Sequence, residues 1–266
     1  MSGLCSRKQV VLGRVLLLAV VAIAILGIVA DVVLKLAWAD VAPVRCFSLH
    51  GAAALRACEG VIAADSPPEI RAEGYYNRGV ELDNLGRQVE AVLAYEQAVR
   101  LKPDYAAAYT NMGVTLAKLR RWDDAVHAYR AAIHERPEFG DAHYNLGLAL
   151  ASLRRWAEAL EAFREAVRLN PADAEALYNT GLMLNFLGRH EEAVRAYSAA
   201  VRIKPDYADA WGNLGMTANL LGRHSDSVEA FERARMLVPT YFEGRAAQRK
   251  AWQQSRHERP LLRENR

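Results

Sequence analysis

The sequence contains little cysteine, few aromatic residues and little net charge. Three cysteines in 266 residues are too few for a small fold held together by disulfides. A net charge of +3 does not indicate nucleic acid as the main partner. With 52% hydrophobic residues, 17 glycines and 9 prolines, the chain is neither disordered nor collagen-like. Because aromatic residues make up only 8% while Ala, Leu and Arg are frequent, the composition favours helices over strands.

A long hydrophobic run lies near the N-terminus. Residues 15–30 are apolar without interruption, and an apolar face continues to Leu36. As a helix, residues 15–36 would measure roughly 33 Å, enough to cross a bilayer core of about 30 Å. Arg7, Lys8 and Arg14 precede the run, so residues 1–14 are predicted to be a short cytoplasmic N-terminus and the rest of the chain to be exported.

Two topologies follow from this run. The first is a single-pass signal anchor in a bacterial inner membrane, with the remainder of the chain on the periplasmic side. The second is a soluble periplasmic protein released by cleavage of a signal peptide, because Ala-Trp-Ala at 37–39 fits the small-x-small cleavage pattern. Export would also place Cys46 and Cys58, twelve residues apart, in an oxidising compartment. We predict a disulfide between them, with two buried reduced cysteines as the alternative.

From residue 72 onward the chain repeats with a period of 34 residues. A proline and a glycine recur at this spacing, at Pro103, Pro137, Pro171, Pro205 and Pro239, and at Gly79, Gly113, Gly147, Gly181 and Gly215. An aromatic residue recurs sixteen positions after the glycine, at Tyr95, Tyr129, Phe163, Tyr197 and Phe231. Apolar residues within each unit recur three and four positions apart, which predicts two amphipathic helices per unit. A small residue at the glycine position lets the two helices approach closely.

This pattern resembles the tetratricopeptide repeat family. The resemblance implies an all-α, right-handed α-solenoid in which stacked helix pairs bury one another's apolar faces. The five predicted repeats are 72–105, 106–139, 140–173, 174–207 and 208–241. Residues 37–71 are predicted to be a linker and an N-terminal half-repeat cap, with a capping-box spacing between Ser66 and Glu69 at the start of the first full helix. Residues 242–266 are predicted to be a capping helix and a basic tail.

The first helix of each repeat is expected to line the concave groove. Its sixth position is always asparagine, at Asn77, Asn111, Asn145, Asn179 and Asn213. Amide groups at this spacing can hydrogen-bond the backbone of an extended peptide, as in the similar groove of O-linked N-acetylglucosamine transferases. A purely structural role of the asparagines is the alternative. The other predicted groove residues are Tyr76, Tyr144, Tyr178, Val114, Leu148 and Leu182.

Nothing in the sequence predicts catalysis. The seven histidines show no paired metal-ligand spacing, and there is no phosphate loop, nucleophile elbow or Cys-His arrangement. We therefore predict a non-catalytic scaffold without cofactor, metal or nucleic acid, which binds extended segments of other proteins. An acidic rim at the second position of most repeats favours neutral or basic segments. The alternative is a substrate-presenting or assembly subunit of a separate envelope enzyme or export complex.

Overall fold

The computed structural model describes Cys46, residues 49–63 and residues 65–258, and these residues form helices connected by turns. The predicted membrane segment at 15–36 lies outside them. Among the helices that are described, none is both long and apolar enough to span a bilayer. The all-α prediction is confirmed, since the described residues contain twelve helices and no strand.

The chain divides into two compact units, the first reaching Pro103 and the second starting at Asp104. The first unit contains three described helices, α1 (Gly51–Ala63), α2 (Pro68–Asn84) and α3 (Gln88–Leu101). Helix α1 packs on α2, and α2 packs on α3. Helix α2 begins without the predicted capping box: Pro67 is the residue before the helix, and no side chain caps it.

The second unit contains nine described helices. They are α4 (Ala106–Lys118), α5 (Trp122–Glu135), α6 (Gly140–Ser152), α7 (Trp156–Leu169), α8 (Ala174–Phe186), α9 (His190–Ile203), α10 (Ala208–Leu220), α11 (His224–Leu237) and α12 (Ala246–Glu258). Each helix from α4 to α11 packs on the next, and α12 packs on both α10 and α11. In each helix pair the second helix ends two residues before the repeat proline, because proline cannot continue a helix.

The glycine and the aromatic residue of each repeat meet in the core of the helix pair. A Cβ atom added to Gly147 would lie 2.7 Å from Cε1 of Phe163, and one added to Gly181 would lie 2.6 Å from Cε1 of Tyr197. Both rings are fully buried. The glycine is therefore required because the aromatic ring occupies the space of a side chain.

The turn within each pair requires a left-handed backbone. Gly86, Gly188 and Gly222 adopt φ values of 74°, 74° and 70° at this turn. Arg120 and Arg154 stand at the same position in the second and third repeats, with φ of 59°. Since a side chain is unfavourable in this conformation, these two turns carry backbone strain.

Candidate peptide groove

The first helix of each repeat in the second unit presents an open face to one side. Residues 141, 145, 148 and 152 of α6 are four, three and four positions apart and therefore share one face. Each of them is exposed or half-buried. The same face recurs on α8 and α10 because the repeat length is constant. We call its four rows, across α6, α8 and α10, the acidic row (Asp141, Glu175, Asp209), the asparagine row (Asn145, Asn179, Asn213), the apolar row (Leu148, Leu182, Met216) and the outer row (Ser152, Phe186, Leu220).

Hydrogen bonds link the asparagine row to the tyrosines of the preceding repeat. Asn179 Nδ2 donates to the hydroxyl of Tyr144 at 3.1 Å, and Asn213 Nδ2 donates to that of Tyr178 at 2.9 Å. Asn179 Nδ2 also donates to the carbonyl oxygen of Glu175 at 3.0 Å. All three bonds use the amide nitrogens, and the two bonds to tyrosine each join one first helix to the next. The two asparagines thus have a structural role, and their carbonyl oxygens are the groups they can offer to a ligand.

Asn145 differs from its neighbours in the row. The preceding repeat has Thr110 in place of tyrosine, and the Thr110 hydroxyl donates to the carbonyl oxygen of Ala106 at 3.0 Å. Among the described residues, the Asn145 amide forms no hydrogen bond that ties it to another helix. Its whole amide group is available to a ligand, so it is the best single probe of groove function.

The tyrosines of the groove remain protonated near neutral pH. Burial raises the pKa of Tyr144, and the carboxylates of Glu175 and Asp173 raise that pKa further. Burial also raises the pKa of Tyr178, and the carboxylate of Asp209 adds to this effect. A neutral hydroxyl can accept the asparagine hydrogen while its own proton remains available for a second bond.

The acidic row already binds cationic side chains of the chain itself. Arg245 Nη2 donates to Asp209 Oδ1 at 3.0 Å, and the guanidinium lies 4.4 Å from the ring centre of Tyr241. Lys204 Nζ lies 4.0 Å from Glu175 Oε1 and 5.0 Å from the ring centre of Tyr207. In each case a carboxylate and an aromatic ring together receive one cation.

The C-terminal segment of the chain covers the start of the first helix of the fifth repeat. Gly212 stands where the third and fourth repeats have tyrosine, and the Tyr241 side chain occupies the space that a Cβ of Gly212 would need. Tyr241 is fully buried, and the Tyr241 carbonyl oxygen accepts from Arg245 Nη1 at 2.9 Å. The C-terminal segment therefore covers only the start of α10, while Asn213, Met216 and Leu220 further along α10 remain half-buried or exposed.

The outer row and its aromatic neighbour Trp156 are not among the residues that the sequence predicts to line the groove. Phe186 and Leu220 are each 60% exposed, and Phe186 stacks on Trp156 with ring centres 4.5 Å apart. Leu148 in the apolar row is 39% exposed. The open face of the first helices thus includes exposed apolar side chains in its apolar and outer rows. The 34-residue spacing of Phe186 and Leu220 could have indicated the outer row, but the equivalent residue in the third repeat is the polar Ser152.

A second feature that sequence reasoning missed is a hydrogen-bond network around Asn185. Asn185 Nδ2 donates to the Thr217 hydroxyl at 2.8 Å and to the Tyr197 hydroxyl at 3.2 Å. Its Oδ1 lies 3.0 Å from Nδ1 of His190. The network links three helices and holds the C-terminal end of α8 in place.

The remaining predicted site residues lie in the other parts of the described chain. Asn111 and Val114 lie half-buried on α4, in the second unit. Tyr76 and Asn77 lie half-buried on α2, in the first unit, where the Tyr76 ring is 6.0 Å from that of Tyr95. Cys46 and Cys58 are joined by a disulfide with Cα atoms 4.8 Å apart, within a buried cluster that includes Val61. In the described ranges no group of three His, Cys, Asp or Glu side chains could hold a metal ion.

Comparison with known families and structures agrees with this architecture. The family model described as Tetratricopeptide repeat matches residues 110–174, 151–208 and 186–241, and the model described as TPR repeat matches residues 84–120. The chain belongs to the tetratricopeptide repeat family. A search of the curated proteins finds no match to it.

Several solved structures are similar to the chain. YrrB, described as a TPR protein with an unusual peptide-binding site, is 27% identical, with a TM-score of 0.61 over 67% of this chain and 91% of YrrB. A MamA structure is 24% identical, with a TM-score of 0.60 over 64% of this chain and 92% of that one. A MamA fragment from Desulfovibrio magneticus RS-1 is 24% identical, with a TM-score of 0.61 over 66% and 98%. The MamA structures share the fold with this chain.

Proposed function

We propose that the protein is a scaffold that binds extended polypeptide segments on the open face of its first helices. The proposal rests on the asparagine row, whose members lie on the first helices of successive repeats and are flanked by exposed apolar side chains. Asparagine carbonyl oxygens at a regular spacing can accept hydrogen bonds from a peptide backbone whatever its side chains. The similarity to YrrB, a TPR protein with a peptide-binding site, supports the same interpretation.

We further propose that residues 15–36 anchor the protein in the bacterial inner membrane and that the repeats face the periplasm. The apolar length of this segment and its basic N-terminal flank support the proposal. Alkaline phosphatase fused after Arg266 should be active in intact cells, and an otherwise identical fusion that lacks residues 1–36 should be inactive. An inactive full-length fusion would overturn the export proposal. Recovery of the active fusion in the soluble periplasmic fraction would identify a cleaved signal peptide instead.

Export also determines the state of the disulfide. Protein isolated from its compartment, denatured without reductant and treated with an alkylating reagent should carry no label on Cys46 or Cys58. A reduced parallel sample should carry label on both. Free alkylation of both cysteines in the unreduced sample would contradict the pairing in the native protein.

Groove function can be tested by capture of partners in intact cells. Wild type and an Asn145→Ala, Leu148→Asp double variant are cross-linked, purified and analysed by mass spectrometry. These two side chains form no hydrogen bond to another helix among the described residues, so the variant should keep its fold, which circular dichroism checks. An Arg202→Gln variant, altered at an exposed position of a second helix, is the matched control.

The result distinguishes the two functional classes. Loss of several partners in the double variant, with retention in the control, supports a general scaffold. Loss of one enzyme that otherwise co-purifies stably would favour a substrate-presenting subunit. Retention of every partner would show that the open face is not the binding surface.

A further inference from the structure

The four rows of the groove divide it into two chemically different sides. The acidic row lies near the start of each first helix, and the outer row lies eleven residues later, roughly 16 Å along the helix axis. The asparagine row lies between the acidic row and the apolar row. Across α6, α8 and α10 the groove therefore has an acidic side, an amide centre and an apolar side.

One carboxylate of the acidic side, that of Asp141, is available to a cation of the ligand. Asp141 forms no ion pair among the described residues, whereas Glu175 and Asp209 receive Lys204 and Arg245. The fourth repeat has Lys204 three positions before Tyr207, and the third repeat has Asn170 and Asp173 at the equivalent places. The third repeat thus lacks both the internal cation and the ring that accompany the acidic row in the fourth. The Asp141 carboxylate therefore favours a cation supplied by the ligand.

The apolar side has hydrophobic surface that a ligand could bury. Phe186 and Leu220 are each 60% exposed, and the stacking of Phe186 on Trp156 holds its ring in place. Burial of such surface is favourable in proportion to its apolar area. A rigid aromatic surface also binds at a smaller entropic cost than a mobile side chain.

An extended peptide lying across the helices would match both sides. Alternate side chains of an extended strand point to opposite edges, so one set would face the acidic row and the other set the apolar and outer rows. We propose that the groove selects extended segments in which arginine or lysine alternates with apolar residues. The inference rests on the proposed peptide binding and adds the chemical class of the ligand.

The pair of Arg245 and Asp209 shows how the ligand's cations would be held. In that pair a guanidinium nitrogen donates to the carboxylate at 3.0 Å. An arginine of the ligand would contact Asp141 in a comparable way, since charge-assisted bonds between guanidinium and carboxylate are strong and directional. An acidic segment would meet repulsion along the same row.

Binding of three labelled dodecapeptides to the full chain in detergent micelles tests the proposal. The peptides alternate valine with arginine, with glutamate or with serine, and fluorescence anisotropy reports their affinity. The arginine peptide should bind roughly tenfold more tightly than the serine peptide, and the glutamate peptide should bind most weakly. Higher ionic strength should reduce the preference for arginine.

Two protein variants show whether the acidic row causes the preference. Asp141→Asn with Glu175→Gln should remove most of the advantage of the arginine peptide, and Asp141→Lys with Glu175→Lys should reverse the preference towards glutamate. The control, Asp123→Asn with Glu229→Gln, removes the same charge from exposed positions of second helices and should change nothing. Phe186→Ser with Leu220→Ser should lower the affinity for all three peptides by a similar factor.

The failures of the two proposals are distinguishable. Equal affinity for the arginine and serine peptides, unchanged by the charge variants but lost in Asn145→Ala with Leu148→Asp, would overturn the selectivity and leave the groove as a general peptide site. Absence of binding to all three peptides would overturn the ligand class. If the cross-linked partners in cells also persist in the Asn145→Ala, Leu148→Asp variant, the proposed peptide binding by the groove is overturned as well.

Discussion

Asn213 donates its side-chain amide to the hydroxyl of Tyr178, 35 residues earlier in the chain, at 2.9 Å. The bond joins the first helices of two successive repeats beneath the open face. Removing the hydroxyl in Tyr178→Phe should lower the free energy of unfolding by about 1 kcal/mol, because the partly buried amide loses its acceptor. Urea titration of the full chain in detergent measures the change. Tyr207→Phe is the control, since its hydroxyl forms no hydrogen bond with the described residues; an equal loss in both variants would contradict the role of the bond.

The close contact between glycine and aromatic ring within a repeat makes a second prediction. Gly147→Ala should destabilise the protein by about 1–3 kcal/mol, because the new Cβ would lie 2.7 Å from the buried Phe163 ring. Gly140→Ala places its Cβ 3.8 Å from Cβ of Leu169, an ordinary contact, and should cost nothing. Both variants replace a helical glycine with alanine. A comparison of their melting temperatures therefore distinguishes the steric clash from the change in helix propensity. Similar melting temperatures would contradict the packing described here.

The left-handed turn predicts changes of opposite sign in two repeats. Gly188→Ala should destabilise by about 1 kcal/mol, since φ is 74° there and no neighbouring atom would touch the new methyl group. Arg154→Gly should stabilise by a similar amount because φ is 59° at this turn. Arg154→Ala controls for loss of the charged side chain and should leave stability nearly unchanged. The urea midpoints of the three variants give the test, and a destabilised Arg154→Gly would contradict the strain.

Alkaline pH should unfold the protein through its buried tyrosines. Burial raises the pKa of Tyr129 well above its usual value near 10, and it raises the pKa of Tyr241 to about 12. Above about pH 10 the unfolded chain releases protons that the folded chain retains, so stability must fall as pH rises. Tyr129→Phe should reduce this fall by up to about 1.4 kcal/mol per pH unit.

The reverse variant provides the matching comparison. Phe163 occupies the position in the third repeat that Tyr129 occupies in the second. Phe163→Tyr should therefore make stability fall more steeply above about pH 10. Urea midpoints measured on both sides of that pH test both variants. Parallel profiles for wild type and both variants would show that these rings do not control alkaline unfolding.

The helix pairs and their core could be predicted because they depend on contacts that repeat along the sequence. Gly147 and Phe163 are sixteen residues apart within one repeat, and all the other repeats have a glycine and an aromatic residue at the same spacing. The period therefore indicated both helices and their close approach. The start of α2 was predicted less well: the Ser66 and Glu69 spacing suggested a capping box, but Pro67 precedes the helix and provides no side-chain cap.

The position of the asparagine row was predictable, whereas its bonding was not. Helical spacing places Asn145, Asn179 and Asn213 on one face, but their partners depend on the distance between successive first helices. Because the second repeat has Thr110 in place of tyrosine, Asn145 lacks the hydrogen bond to the preceding repeat that Asn179 and Asn213 form. Only the contacts in the structure reveal this difference. Phe186 and Leu220 escaped prediction because Ser152 occupies their position in the third repeat, so no residue type recurs there.

Site-specific photo-cross-linking in intact cells tests whether the open face of the first helices binds polypeptide. A benzophenone amino acid replaces Leu148 or Leu182 in the groove, or Glu161 or Arg195 on exposed positions of the second helices. We expect adducts with other polypeptides from the two groove positions and none from the other two. Adducts confined to positions 161 and 195 would contradict this expectation.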